Sequence, residues 1–304
     1  MIVLNTIFPL FALLFTGTLL RRSGLIGEGF LRTADRLVYY FFFPVMLFWK
    51  IGGAHPGSGV SGGLCMAAVG ALLLIFGLTL AVIQWRKIPV FQAGAFAQAG
   101  FRFNTYIGMA LILHVLGAEG VRHFGVLVGI VIPLLNVLSV SVLIWYSGRD
   151  MNVREKVGFF VKALVSNPLI IACALGLIYS HRGWGIPVFV NNTFALMSSI
   201  TLPLALLSIG GNLKFDGIGE YGPALFWSSL LKLVLLPLVG YLFLKGFQVG
   251  GIPFKVGMIF FCLPTSTAMY VLCGQLNSDT RLASVAIMVS TLASFVSLSV
   301  ALLL

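Results

Sequence analysis

Long apolar runs alternate with short polar ones along almost the whole chain, and many of the runs match the thickness of a bilayer. Ten such stretches stand out, at roughly 2–20, 37–54, 62–85, 90–117, 121–147, 167–181, 189–213, 223–247, 252–275 and 281–303. Each predicts an apolar helix. The sixth is short for a full crossing, and the fourth and ninth are the most polar.

The fourth stretch interrupts the pattern most sharply. Ala95 to Gly117, AFAQAGFRFNTYIGMALILHVLG, is apolar enough for a bilayer, yet Arg102, Asn104, Thr105 and Tyr106 sit together at its middle. Hydrocarbon offers these groups no water, so they are expected to face a cavity or a partner. Gly100 and Gly108 flank the cluster, and glycines are where a membrane helix can open and bare its backbone. Two readings follow. One is a continuous helix whose Asn104 bonds a neighbouring helix. The other is a discontinuous helix whose break binds an anion.

A second interruption lies in the ninth stretch, LPTSTAMY, from Leu263 to Tyr270. Pro264 has no amide hydrogen and disturbs the helix beside it, while Thr265, Ser266 and Thr267 can satisfy freed backbone groups. A shift of 159 residues relates the two stretches. It carries Pro9 onto Pro168, Gly17 onto Gly176, Gly24 onto Gly183, Pro44 onto Pro203 and Gly52 onto Gly211. The same shift carries Thr105 onto Pro264, so the two polar breaks fall in register. Each copy holds five stretches, an odd number, so the second copy is expected to insert upside down. Inverted repeats place a transport site at their interface near mid-membrane, where half-helix N-termini offer partial positive charge.

Composition agrees. Of 304 residues, 59% are hydrophobic and 9% charged, against about a quarter charged in soluble domains. The net charge of +11 in such a chain points to orientation and anionic lipid rather than to nucleic acid. With the N-terminus outside, predicted inside loops hold 12 Lys and Arg and outside loops hold 5, which puts both termini outside. Cys65, Cys173, Cys262 and Cys273 lie in apolar stretches without metal-ligand spacing, so neither a metal nor a cofactor is expected. The first stretch lacks the flanks of a cleaved signal peptide.

The ionisable residues point to the sign of a ligand. All eight acids fall in loops or at the ends of stretches, whereas Arg102 and Lys232 lie inside them. A cation carrier is expected to place a carboxylate in its pathway, so this distribution suits a carboxylate ligand. Arg102 either faces the site or snorkels to an interface, and Lys232 is expected to snorkel. The expected substrate-binding set is Asn104, Arg102, Thr105, Tyr106, Pro264, Thr265, Ser266 and Thr267, with Gly100, Gly108 and Pro264 as the hinge or crossover. Asn136, Tyr270 and Asn5 are candidates for cavity lining, and the two asparagines equally for bonds between helices. The basic segment 148–166 reads as a cytoplasmic linker between copies spanning 1–147 and 167–304.

Several segments together resemble the auxin efflux carrier family in its bacterial branch, within the bile/arsenite/riboflavin transporter superfamily. They are YYFFFPVMLF around Pro44, FRFNTYIG at 101–108, NPLIIACALGLIYS at 167–180, LPLALLSIGGNL at 202–213 and LPTSTAMYVL at 263–272. The resemblance covers essentially the whole chain. It implies ten helices in two inverted five-helix repeats, with broken helices 4 and 9 crossing at mid-membrane. It implies a scaffold of helices 1, 2, 6 and 7 and a transport domain of helices 3–5 and 8–10. The implied mechanism is elevator-like, with homodimers formed through the scaffolds. Asn104 matches the asparagine that helps bind the substrate carboxylate in the family, and Pro264 matches the crossing proline. Gly108 is followed here by Met109 rather than by the proline of many members, which weighs against auxin itself. Small carboxylates such as malate or malonate are the implied class.

The expectation is therefore an all-α polytopic protein of the cytoplasmic membrane, not an enzyme, that moves a small organic anion by alternating access. The alternatives are a sodium-coupled organic-anion symporter of the bile-acid type and a ligand-binding membrane sensor. The first needs a sodium cage that usually includes acidic oxygens. The second lacks an appended output domain. A channel would show a charge ring or filter motif, and a membrane enzyme would show paired acids or a nucleophile with its base.

Overall fold

The computed structural model describes residues 2–53, 61–147, 158, 166–213 and 217–304, and the side chains of residues 2–6 and 147 lie outside that description. Most of the expected linker, and the side chain of Asn5, therefore lie outside the described residues. Among the described residues the structure is helical, without strands. The helices are α1 (Ile2–Arg22), α2 (Glu28–Leu37), α3 (Phe43–Gly52), α4 (Gly62–Trp85), α5 (Val90–Phe101) and α6 (Thr105–Ser147). They continue as α7 (Pro168–His181), α8 (Val188–Gly211), α9 (Gly222–Leu230), α10 (Leu236–Gly246), α11 (Gly251–Cys262), α12 (Ala268–Gln275) and α13 (Thr280–Leu303). Among the described residues, five helical segments are long and apolar enough to cross a membrane: Gly62–Trp85, Val90–Tyr146, Val188–Gly211, Gly222–Gly246 and Thr280–Leu303.

Local chemistry explains most ends and bends. Asn167 caps α7, its carboxamide oxygen accepting from the amides of Leu169 (3.0 Å) and Ile170 (3.4 Å), with Pro168 pre-set at the first helical position. Asp279 caps α13 through Leu282 N–H at 2.9 Å. Gly117, at φ 60° and ψ −151°, breaks α6 in a conformation only glycine adopts easily. Wide π-helical turns at Val38–Phe42 and Leu231–Leu235 precede Pro44 and Pro237. A proline cannot donate to the turn before it and its ring crowds that turn, and the wider hydrogen-bonding register makes room. Pro203, the counterpart of Pro44 under the 159-residue shift, lies inside the uninterrupted α8.

The chain divides into two compact units. The first comprises residues 1–61, 106–130 and 164–212. In it α1 packs on α8 and α3 on both α7 and α8. The contacts are reciprocal across the 159-residue shift. A Cβ on Gly17 would collide with the Leu207 carbonyl, and one on Gly176 would lie 3.2 Å from the Phe48 carbonyl oxygen, where Gly176 and Leu207 are the shifted counterparts of Gly17 and Phe48. Thr201 donates its hydroxyl to the Phe42 carbonyl at 3.4 Å, a pair also one shift apart. The Asp35 carboxylate ties α2 to α8, accepting from Ser208 Oγ (2.6 Å) and Asn212 Nδ2 (3.2 Å).

The second unit comprises residues 62–105, 131–163 and 213–304. Here α4 packs on α5 and α10, and α11 packs on α10 and α13. Small residues set these approaches: the ring of Phe243 lies against Gly70 and that of Phe261 against Gly240. One expectation is corrected here. Lys232 does not snorkel to an interface; it is 1% exposed, enclosed by the helices of this unit. The π-helical turn that carries it packs against neighbours on several sides, so its side chain is committed inward.

Candidate functional site

The two polar stretches both lose helical structure, and in the same way. Helix α5 ends at Phe101, Arg102 turns extended (φ −70°, ψ 158°), and α6 starts at Thr105. Helix α11 ends at Cys262, Leu263 turns extended (φ −63°, ψ 146°), and α12 starts at Ala268. A continuous helix through Asn104, the simpler of the two sequence readings, is thereby excluded. Gly100 and Gly108 both lie within helix, beside the break rather than in it. Gly100 gives room for Thr79, whose hydroxyl would stand 3.0 Å from a Cβ placed there.

Within the second unit the breaks touch. Asn104 N–H donates to the Pro264 carbonyl at 2.9 Å, a backbone bond between residues that lie in different helices' interruptions. Both residues are buried, Asn104 to 1% exposure. The rings of Phe103 and Phe260 meet edge to face at 4.6 Å beside this bond. Thr265 is fully buried; its amide donates to Ser290 Oγ at 3.2 Å and its hydroxyl to the Gln98 carbonyl at 3.4 Å. Ser266 and Thr267 are half-buried, and Ser266 Oγ accepts from the Ala268 amide at 3.3 Å at the start of α12.

Arg102 is 7% exposed and therefore does not snorkel. Its guanidinium donates to Ser139 Oγ (3.0 Å), Gln98 Oε1 (3.5 Å) and Asn136 Oδ1 (3.4 Å). These acceptors are neutral, so they fix the planar fork while leaving its charge uncompensated by them. Asn136, expected to line a cavity or to glue helices, thus holds Arg102. Tyr106 belongs to the first unit, where its ring packs on Phe43 at 4.9 Å. Tyr270 is exposed on α12.

Three residues of this arrangement escaped the sequence reading. Gln98 lies one helical turn before Arg102 and is fully buried; its amide also donates to Gly94 O and Cys273 Sγ, both at 3.3 Å. Ser139 follows Asn136 by one turn, and Ser290 comes from α13. Gln98 carried a signal, an amide four positions from an arginine in an otherwise apolar run. Serines in membrane helices are too common to stand out.

Chemically, the breaks of the second unit hold a buried guanidinium and a buried carboxamide, both features that stabilise negative charge. Among the described residues no cluster of His, Cys, Asp and Glu could hold a metal ion, and all four cysteines are free. A family model described as "membrane transport protein" matches residues 2–302. The chain is similar to a protein named uncharacterized transporter from Methanothermobacter thermautotrophicus, at 24% identity over 97% of this chain and 95% of the relative. It is also similar to uncharacterized transporter MJ1031 from Methanocaldococcus jannaschii, at 21% identity over 96% of this chain and 95% of the relative. A polytopic helical chain with paired helix breaks, matched from end to end by that model, belongs to the membrane transport protein family of auxin efflux carriers.

Proposed function

We propose that this protein is a secondary transporter that moves a small mono- or dicarboxylate across the cytoplasmic membrane. The observation that carries the reading is the junction of the two helix breaks at Asn104 and Pro264, with buried Arg102 two residues away on the same break. A carboxylate at this junction is met by the carboxamide of Asn104 and by the N-terminal end of α12. The reciprocal contacts of Gly17 with Leu207 and of Gly176 with Phe48 support reading the chain as two inverted copies. In that reading ten helices cross the membrane, predicted helices 1, 2, 6 and 7 serve as scaffold, and helices 3–5 and 8–10 carry the substrate by an elevator motion.

The acids support an anion over a sodium-coupled mechanism. Asp35 joins two helices of the first unit through Ser208 and Asn212, away from the breaks of the second. A thermal-shift panel of small mono- and dicarboxylates on the purified protein tests the ligand class. A true ligand at a hundredfold its dissociation constant is expected to stabilise the fold by about 2.7 kcal/mol. A panel that leaves the melting temperature unmoved for every carboxylate, while a cationic or neutral solute raises it, rejects the proposal.

Orientation belongs to the same proposal. The excess of Lys and Arg in predicted inside segments, such as Arg21 and Arg22 at the end of α1, supports a cytoplasmic position for these segments and both termini outside. Ser23 and Gly185 are exposed in loops at predicted opposite sides. With single cysteines there and the native four replaced, an impermeant maleimide added to intact cells is expected to label position 185 and spare position 23. The reverse pattern inverts the topology.

A further inference from the structure

The second unit carries a cationic aromatic cluster that the site described above does not use. Trp85 ends α4, and Lys87, at φ 50°, turns the chain away from the helix. Between them Arg86 sets its guanidinium over two indole rings, 5.3 Å from the centroid of Trp85 and 5.4 Å from that of Trp227 on α9. The two indoles meet edge to face at 5.2 Å, and Phe226 meets Trp227 edge to face at 5.5 Å. Arg86 and Lys87 are exposed, as are Trp85 (65%) and Phe226 (60%). Neither described ion pair includes Arg86 or Lys87. The rings therefore position the guanidinium, and no described carboxylate neutralises it.

The depth of the cluster follows from the helices that carry it. Helix α4 packs on α10 and runs the opposite way: a Cβ on Gly63, near the start of α4, would lie 3.2 Å from the carbonyl oxygen of Phe247, just past the end of α10. At that end Lys245 lies over Tyr241 and Phe254, 5.6 and 5.3 Å from their centroids. The 159-residue shift carries Arg86 onto Lys245. A cation over two aromatic rings thus stands at each end of the pair. Between them α4 has 24 residues, about 36 Å of helix, slightly more than a hydrocarbon core of about 30 Å. Both clusters fall at headgroup depth, where Trp and Tyr concentrate. We propose that Arg86, held by Trp85 and Trp227, binds the phosphate of an anionic phospholipid whose acyl chains lie against Trp85 and Phe226. A guanidinium offers phosphate oxygens a planar fork, and Lys87 adds a second positive charge beside it. Lys245 offers a point charge without the fork, so the lipid is assigned to the Arg86 end. This site does not depend on what the helix breaks bind.

The test reads the melting temperature of the whole purified protein in detergent micelles doped with phosphatidylglycerol or with phosphatidylcholine of the same acyl chains. Wild type is expected to melt several degrees higher with phosphatidylglycerol. Arg86→Gln is expected to lose more than half of that difference. Arg36→Gln removes the same charge from an exposed position on α2 that has no described ring contact, and is expected to keep the difference. Inorganic phosphate added to lipid-free micelles is expected to leave the melting temperature of wild type unmoved, because it brings no acyl chains to the aromatic face. The proposal is overturned if wild type melts alike in the two lipids, or if Arg86→Gln keeps most of the difference. Equal losses in Arg86→Gln and Arg36→Gln also overturn it, since they mark an effect of net charge alone. A rise with inorganic phosphate that Arg86→Gln abolishes rejects the lipid in favour of a free anion.

Discussion

Asn104→Ala protein is expected to bind its carboxylate about 5- to 150-fold more weakly than wild type, a loss of about 1–3 kcal/mol. The substitution removes a carboxamide able to donate two hydrogen bonds, while the backbone amide that holds Pro264 stays in place. Because that backbone bond and the surrounding aromatic packing survive, the junction itself should persist, and the loss should appear in affinity more than in stability. The measurement is ligand affinity by calorimetry or scintillation proximity on Asn104→Ala protein that melts near wild type. Unchanged affinity removes Asn104 from the site and leaves it a structural role between the two breaks.

The second large effect lies in the first unit. Gly210→Leu is expected to abolish recovery of folded protein, and Gly210→Ala to lower the melting temperature severely. A Cβ at Gly210 would overlap the carbonyl oxygen, carbonyl carbon and Cα of Leu14 on α1, and Thr18 donates to the Gly210 carbonyl at 2.8 Å across the same contact. Overpacking a core typically costs about 1–3 kcal/mol when side chains can yield. Here the obstructing atoms are backbone and cannot rotate away, so the whole helix pair must separate. Gly77→Ala in α4 is the control: nothing lies within 4 Å of its Cβ position, and the added methyl favours helix by up to about 1 kcal/mol. Size-exclusion profiles and melting curves of the three variants check the expectation. A Gly210→Leu protein that elutes and melts like wild type would show that α1 and α8 do not approach this closely.

Much of the helical layout was legible from hydropathy because burial of backbone polar groups leaves a bilayer-spanning chain few options. The break at Arg102–Asn104 and that at Leu263–Thr267 were visible for the same reason, since polar residues in hydrocarbon-length runs need a purpose. The 159-residue shift was read from prolines and glycines, residues whose backbone constraints leave little choice of substitute. The start of the second helix was not. Helix α2 begins at Glu28, upstream of the apolar run, because EGFLRTADRL is amphipathic and its charges hid it from a search for uniform hydrophobicity.

What the sequence determined by itself was the class of protein, the position of both breaks and the sign of the charge beside them. Each of these follows from a local cost, the price of a polar or charged group in an apolar run. Tertiary structure decided which partners meet that cost. In a membrane the outward and inward faces of a helix are both apolar, so periodicity does not say which residues are enclosed. Lys232 could reach an interface or be shut in, and packing shut it in. Arg102 could snorkel, and Gln98, Ser139 and Asn136 hold it inside instead. Asn104 and Pro264 are far apart in the chain, and the bond between them exists because α5, α11 and α13 pack as one unit around both breaks.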